Sequence, residues 1–331
     1  MKTKHYLSSL FLLSVMALLM VLAQGCNRHT DNKTVLKFGH MGNEQHIWHR
    51  AAVYFAQKVD SLSQGSIEVR IYPAEQLGKE LDMIRSIRAG IADFTITGES
   101  LQNWIPEASF CGTPYLIRDM EHLGKVVDGD IGAKIVKEMK EKVGVRPVGY
   151  YARGARHLTS NRPIRTPDDL KGIILRVPNV PISVKTWQGL GAKPTPMAFS
   201  EVFTALQQGT VEAQENPFSL IHSAGFHEVQ QYINLTGHVI GWVYVVMGEE
   251  RFQSLSEQDQ EAVLAAGKLM QEHYTTIFLR MEEQLQQELA EKGMEMIEVD
   301  QEAFRQRADE IVSTGLPESI LPMYQAIKEL K

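Results

Sequence analysis

Short apolar runs alternate with amphipathic stretches along most of this chain. Residues 35–38, 67–72 and 94–97 are apolar-rich runs of strand length, the second of them stopped by Pro73. Between the first two, Ile47, Ala51, Phe55, Val59 and Leu62 recur at helical spacing, which predicts a helix over 46–63. A second helix is expected over 79–89. The alternation continues with strands at 145–151, 173–177 and 211–214 and with helices over 182–190 and 199–207. Such a succession argues for an α/β architecture. No internal repeat or low-complexity segment interrupts it.

The last third carries one long helical signal. Ser256 is a plausible N-cap, Asp259 stands three residues on, and Gly293 offers a stop. Residues 257–292 contain no proline and a single glycine, Gly267. A helix of that length extends roughly 54 Å, against about 30 Å for a small domain. It would have to lie along two lobes. The apolar positions keep no strict heptad, which counts against a coiled-coil seam.

The first residues follow a different pattern. Lys2 and Lys4 precede an apolar stretch over 7–22, followed by Ala23-Gln24-Gly25-Cys26. This reads as a secretory signal peptide with small residues at its cleavage site. A cysteine directly after those residues resembles a bacterial lipoprotein signal, with Cys26 as the lipidated first residue; Ala23 stands where leucine is commonest. Residues 27–33 are polar enough for a tether.

Composition narrows the function classes. The 331 residues suggest about two domains. Apolar and charged contents of 44% and 22% suit a globular protein with a substantial core. A net charge of −6 without a basic block argues against nucleic acid as a partner. With Cys26 set aside, Cys111 is the only thiol, so no internal disulfide is expected. It reads as a small buried hydrophobe.

The chemistry centres on Arg176, which sits in the apolar run Ile173-Ile174-Leu175-Arg176-Val177-Pro178. A guanidinium keeps its proton and is costly to bury without an anion. Either a protein carboxylate pairs with it, Glu215 for example, or a ligand carboxylate does. Gly154-Ala155-Arg156 places a second arginine at the end of a strand, and Gln214-Glu215-Asn216-Pro217 places an amide at the end of a third. Ligands of open α/β sheets bind outside the carboxyl ends of strands. Two arginines and an amide converging there would suit a carboxylate, gripped by one planar fork.

Six segments carry a family resemblance: Gln76-Leu77-Gly78, Thr159-Ser160-Asn161-Arg162-Pro163-Ile164, Asp169-Leu170-Lys171-Gly172, Leu175-Arg176-Val177-Pro178-Asn179, the run from Pro194 to Val202, and Gln214-Glu215-Asn216-Pro217. In sequence and order they resemble the substrate-binding proteins of TRAP transporters, the DctP family, over about residues 34–320. The resemblance implies a periplasmic binding protein of type II-like, two-lobed α/β fold, with hinge strands and a long helix backing both lobes. It implies that Arg176 anchors a ligand carboxylate, with Arg156 and Asn216 assisting. Expected boundaries are a signal peptide at 1–25 and a lipidated tether at 26–33. Lobe I is expected over 34–153 plus 242–281, and lobe II over 154–241 plus 282–331. The partners implied are a small organic acid and the TRAP membrane permease subunits, with the membrane reached only through the lipid anchor.

The rest of the ligand is read from neighbouring residues. Glu80 matches an acidic position at which sialate-binding members accept ligand hydroxyls. Those members carry an amide where this chain has Met41, and their second pocket carboxylate maps loosely onto Glu99. Glu80, His40, Glu99 and Gln102 offer hydrogen-bonding groups suited to hydroxyls. Phe199, Trp104 and Trp187 could supply a flat apolar wall, although core packing suits Trp187 better. The combination favours a hydroxylated monocarboxylate of hexuronate or aldonate type over sialate, a C4 dicarboxylate or a keto acid. An exported hydrolase is disfavoured by the lack of Gly-x-Ser-x-Gly and His-Glu-x-x-His. His46 and His49 lack an acidic partner at metal-ligand spacing. Neither catalysis nor a metal or cofactor is expected.

Overall fold

Nine strands build one sheet in the computed structural model, which describes residues 33–330. The expected signal peptide and Cys26 lie outside the described residues. The strands are β1 (Thr34–Gly39), β2 (Ile67–Tyr72), β3 (Phe94–Thr97), β4 (Val145–Ser160), β5 (Ile174–Val177), β6 (Lys193–Pro196), β7 (Ala213–Pro217), β8 (Tyr232–Gly248) and β9 (Glu295–Ile297). Their order is β2-β1-β3-β8-β4-β7-β5-β6, with β9 added to β8.

Two long antiparallel strands, β4 and β8, hold this sheet together, paired from Val145 opposite Gly248 to Ser160 opposite Tyr232. One end of β8 carries β3, with Phe94 opposite Met247. The other end of β4 carries β7, with Ser160 opposite Ala213. The sheet is therefore two small sheets joined through shared strands. Their pairing shifts register between Arg153 and Arg156 and again before Leu158. A bulge of this kind bends a strand and re-aims its side chains.

Sequence pattern alone understated these two strands. A strand was expected over 145–151, yet β4 continues to Ser160, and β8 had no expected counterpart. Arg156 consequently lies inside a strand rather than at its end. Gly149, Gly154 and Gly241 break the apolar alternation locally, whereas cross-strand pairing keeps the ladder going. Gly154 also has a steric role, because a Cβ there would meet the Glu282 carboxylate at 2.0 Å.

The long helix spans Glu257–Glu291, capped by the Ser256 hydroxyl accepting from the Asp259 N–H. It packs into two separate apolar clusters. Met270, Tyr274 and Phe278 join Phe38, Phe55 and Phe94 in one. Leu285 and Leu289 join Val202, Leu206 and Phe226 in another. One element thus backs both ends of the sheet. Its single glycine explains the closeness of the fit: a Cβ on Gly267 would lie 2.0 Å from the Val148 carbonyl oxygen of β4. Cys111 is a free thiol buried in a third cluster, as expected. Among the described residues, no helix is long and apolar enough to cross a membrane.

Candidate functional site

A cavity of about 320 Å³ is lined by residues from both ends of the sheet. Arg176 reaches it from the C-terminal end of β5 and Asn216 from the end of the parallel strand β7. Arg156 and Arg153 enter from β4. In a regular strand, residues three apart face opposite ways. The register shift between them lets both line the cavity. Met41, Glu80, Glu99 and Phe199 line it too, and seven of the nine expected site residues therefore converge.

Two expected residues do not. His40 is buried beside β1, its ring tilted 54° to that of His49 with Nε2 3.3 Å from His49 Nδ1. Burial, then the neighbouring His49, lowers its pKa to about 3, so it stays neutral. Gln102 is used structurally, accepting from the Ile182 N–H at 3.1 Å and donating to the Glu99 carbonyl at 2.9 Å. Of the proposed aromatic wall, only Phe199 is in place. Trp187 is core, edge-on to His238, and Trp104 packs against the apolar cluster around Phe110. Trp48 provides an indole at the cavity that the sequence reading overlooked. Arg153, Lys79 and Glu75 were overlooked as well. His46 caps its own helix by accepting from the Trp48 N–H, and no group of three metal-ligating side chains occurs among the described residues.

The arginines divide their duties. Arg156 is held by Glu215: Nη2 donates to Oε1 at 2.8 Å and to the Glu215 carbonyl at 2.7 Å, and Nε donates to Oε2. Glu215 also accepts from His238 Nε2 at 3.0 Å, whose Nδ1 is 2.8 Å from the Thr236 hydroxyl. Burial pushes the Glu215 carboxyl up. The Arg156 charge and the hydrogen bonds from His238 and Arg156 outweigh this and hold it at about 2.

Glu215 is thus the carboxylate partner of Arg156, not of Arg176. Arg176 is 3% exposed and donates from Nε and Nη2 to a main-chain oxygen, Met197 O, at 3.2 and 2.9 Å. Among the described residues no carboxylate lies within ion-pair distance of it. Burial is the main reason its pKa falls to about 10; Glu215 opposes the fall and Arg156 adds to it. It remains charged at neutral pH and lacks a close counter-ion.

The other cations of the wall are committed. Arg153 grips both oxygens of Glu99 at 3.0 Å, Arg85 meets Asp82 at 2.9 Å, and Lys79 meets Glu201 at 2.5 Å. Asn216 is oriented by a relay: it donates to Gln214 at 2.6 Å, Gln214 donates to the Thr159 hydroxyl at 2.9 Å, and that hydroxyl donates to Gln230 at 2.9 Å. Glu80 accepts from the Thr97 hydroxyl at 2.7 Å. Burial, then the charge of Glu99, raises its pKa to about 7, so it can either donate or accept near neutrality.

The family model of bacterial extracellular solute-binding proteins, family 7 (DctP), matches residues 38–316. A solute-binding protein of Roseobacter denitrificans is 47% identical over 292 residues, 88% of this chain and 90% of that one. Its crystal structure, a TRAP periplasmic solute-binding protein with bound L-galactonate, superposes with a TM-score of 0.88 at 46% identity, over 89% of this chain and 98% of that one. A TRAP periplasmic solute-binding protein of Polaromonas bound to D-erythronate gives 0.86 at 32% identity, over 90% and 99%. The sialic acid-binding periplasmic protein of Vibrio cholerae is 32% identical over 274 residues, 82% of this chain and 85% of that one.

Proposed function

The chain belongs to the bacterial extracellular solute-binding proteins of family 7, and from that premise we propose that it captures a sugar acid carrying one carboxylate and delivers it to a TRAP permease. The observation that carries this reading is Arg176, a buried guanidinium bonded only to a main-chain oxygen at the wall of a cavity. A ligand carboxylate is the anion it lacks. Bidentate pairing in a desolvated pocket is strong and directional.

Charge accounting favours a monoanion. Of five cations on the wall, four are paired with protein carboxylates and Arg176 is not. Glu75 and Glu80 stand on the same wall outside those pairs. A second carboxylate on the guest would find no cation to spare and would meet like charge. Hydroxyls suit the rest of the wall, since Glu80, Glu99 and Asn216 can hydrogen-bond them and Trp48 and Phe199 offer flat faces. The relatives that hold L-galactonate and D-erythronate support the same class.

The lobes are proposed as residues 34–153 with 242–281, and 154–241 with 282–331, hinged at the bulge of β4 and the facing part of β8. Closure would bury the clamp in a lower dielectric, where charge pairing strengthens. An exported form tethered through lipidated Cys26 fits a protein that must wait beside a permease. No chemical step is assigned.

Calorimetric titration with L-galactonate, D-galacturonate, D-erythronate, sialate and a C4 dicarboxylate tests the proposal. At least one sugar monoacid binds saturably, and Arg176→Ala loses several kcal/mol of affinity, as expected for a desolvated charge pair. Arg176→Lys also fails, because an ammonium cannot reproduce the fork. A Lys variant that binds as tightly as the parent, or a dicarboxylate that binds best, refutes the clamp as described.

A further inference from the structure

We infer that Glu75 is a ligand residue of this cavity, accepting hydrogen bonds from hydroxyls next to the guest's carboxylate and so selecting hydroxy acids over deoxy analogues. The inference rests on the Arg176 clamp. Two independent features support it.

The first is an unmet hydrogen bond. Glu75 lines the cavity, and its Oε2 is buried without a hydrogen-bond partner among the described residues. The other carboxylates of the wall have donors: Thr97 for Glu80, Arg153 for Glu99 and Arg85 for Asp82. A buried carboxylate oxygen with no donor is costly, and such atoms in a native protein call for a specific reason. A guest that brings its own donor supplies one once the carboxylate turns toward the cavity that Glu75 lines.

The second feature is the backbone. Gln76 N–H donates to Pro73 O at 3.1 Å, closing a tight turn whose central residues, Ala74 and Glu75, both have positive φ, 50° and 58°. Turns of that kind usually place Asn and Gly there, because a Cβ is unfavourable in the left-handed region. Here the conformation is enforced from outside. Ala74 N–H donates to Gly42 O at 2.8 Å, and Glu75 N–H donates to His40 O at 3.1 Å. Strain held in place by its surroundings concentrates at ligand sites. Glycine would relieve it at residue 75, but only a side chain can put an acceptor on the wall.

The chemistry is simple. With the guest carboxylate on Arg176, hydroxyls on the adjoining carbons are the nearest donors for Glu75. A deoxy acid brings none.

The test compares parent, Glu75→Ala and Arg176→Ala by calorimetric titration with L-galactonate and its 2-deoxy and 3-deoxy forms, alongside melting of each ligand-free protein. The parent should prefer L-galactonate over at least one deoxy form by about tenfold or more. Glu75→Ala should lose that preference while still binding the acids, and should melt, without ligand, no lower than the parent. A variant that keeps the preference, or that melts clearly lower because an internal partner has been lost, overturns the role of Glu75 and leaves the clamp intact. Arg176→Ala binding like the parent, or a parent that binds none of the acids, overturns the clamp and this inference together.

Discussion

Glu215→Gln isolates the ion pair that frees Arg176 for a guest. Arg156 and Glu215 are 5% and 2% exposed and share three hydrogen bonds, two of them to the carboxylate, which takes a third from His238. The amide keeps the size of the side chain but removes its charge. Breaking a buried pair from one side costs about 3–5 kcal/mol, because the remaining charge is left uncompensated. The fall of the Glu215 pKa from 4.5 to about 2 points to a similar size, about 3 kcal/mol at 1.36 kcal/mol per pH unit. At roughly 2–4 °C per kcal/mol for a chain of this order, the ligand-free melting temperature should drop by roughly 10 °C. Replacing both partners with apolar residues of similar volume should cost less than the single change. The pH dependence has a definite sign. A carboxyl held below its ordinary value stabilises fully above about 4.5 and loses that contribution as pH falls towards 2. Urea unfolding of both variants from pH 7 to pH 3 measures all of this. A Glu215→Gln protein within about 1 kcal/mol of the parent at pH 7, with an unchanged acid limb, would refute the reasoning.

Two further outcomes follow from close contacts. Lys79, on the cavity wall, meets Glu201 from 122 residues away in sequence. Reversing Lys79 to Glu should speed ligand dissociation in stopped flow, and Lys79→Glu with Glu201→Lys should restore the parent rate; equal rates for the single and double variants would rule out a latch. Gly267→Ala reverses the usual helix preference. Alanine ordinarily gains up to about 1 kcal/mol over glycine in a helix, but its Cβ would lie 2.0 Å from Val148 O. Thermal unfolding should therefore show a loss of about 1–3 kcal/mol or more.

Legibility differed from element to element for physical reasons. Arg176 and Asn216 were readable because a short apolar run and a proline fix each at a strand end, where open sheets bind ligands. The long helix was readable from its cap and from the span free of proline. Arg153 was not, since its approach depends on a bulge made by pairing with β8 rather than by local propensity. β8 itself contains Gly237 and Gly241, and its strand character comes from neighbours on both sides. Glu75 was missed because nothing about Ala74-Glu75 announces a left-handed turn; the contacts from Gly42 and His40 impose it. His40 and Gln102 looked available as polar side chains. The fold turns them instead toward His49 and the Ile182 N–H.

On the proposed two-lobe division, the division of labour between Arg156 and Arg176 would also explain why closure depends on a guest. Two neighbouring guanidiniums repel, and burying both without anions would oppose bringing the lobes together. Glu215 neutralises one of them within the protein and leaves the other to be answered from outside. The wall is split accordingly. Glu80, Glu99 and Trp48 come from the end of the sheet built around β1 and β3, and Arg176, Asn216 and Phe199 from the end built around β5 and β7. A ligand that pairs with Arg176 but offers no hydroxyls would satisfy only one side. It would bind both arrangements of the lobes nearly equally and shift their balance little. A hydroxy acid that reaches Glu80 and Glu75 while its carboxylate sits on Arg176 contacts both sides at once. Its preference for the closed arrangement is then the sum of the contacts made only there, which ties selectivity for hydroxylated acids to the closure that would precede delivery.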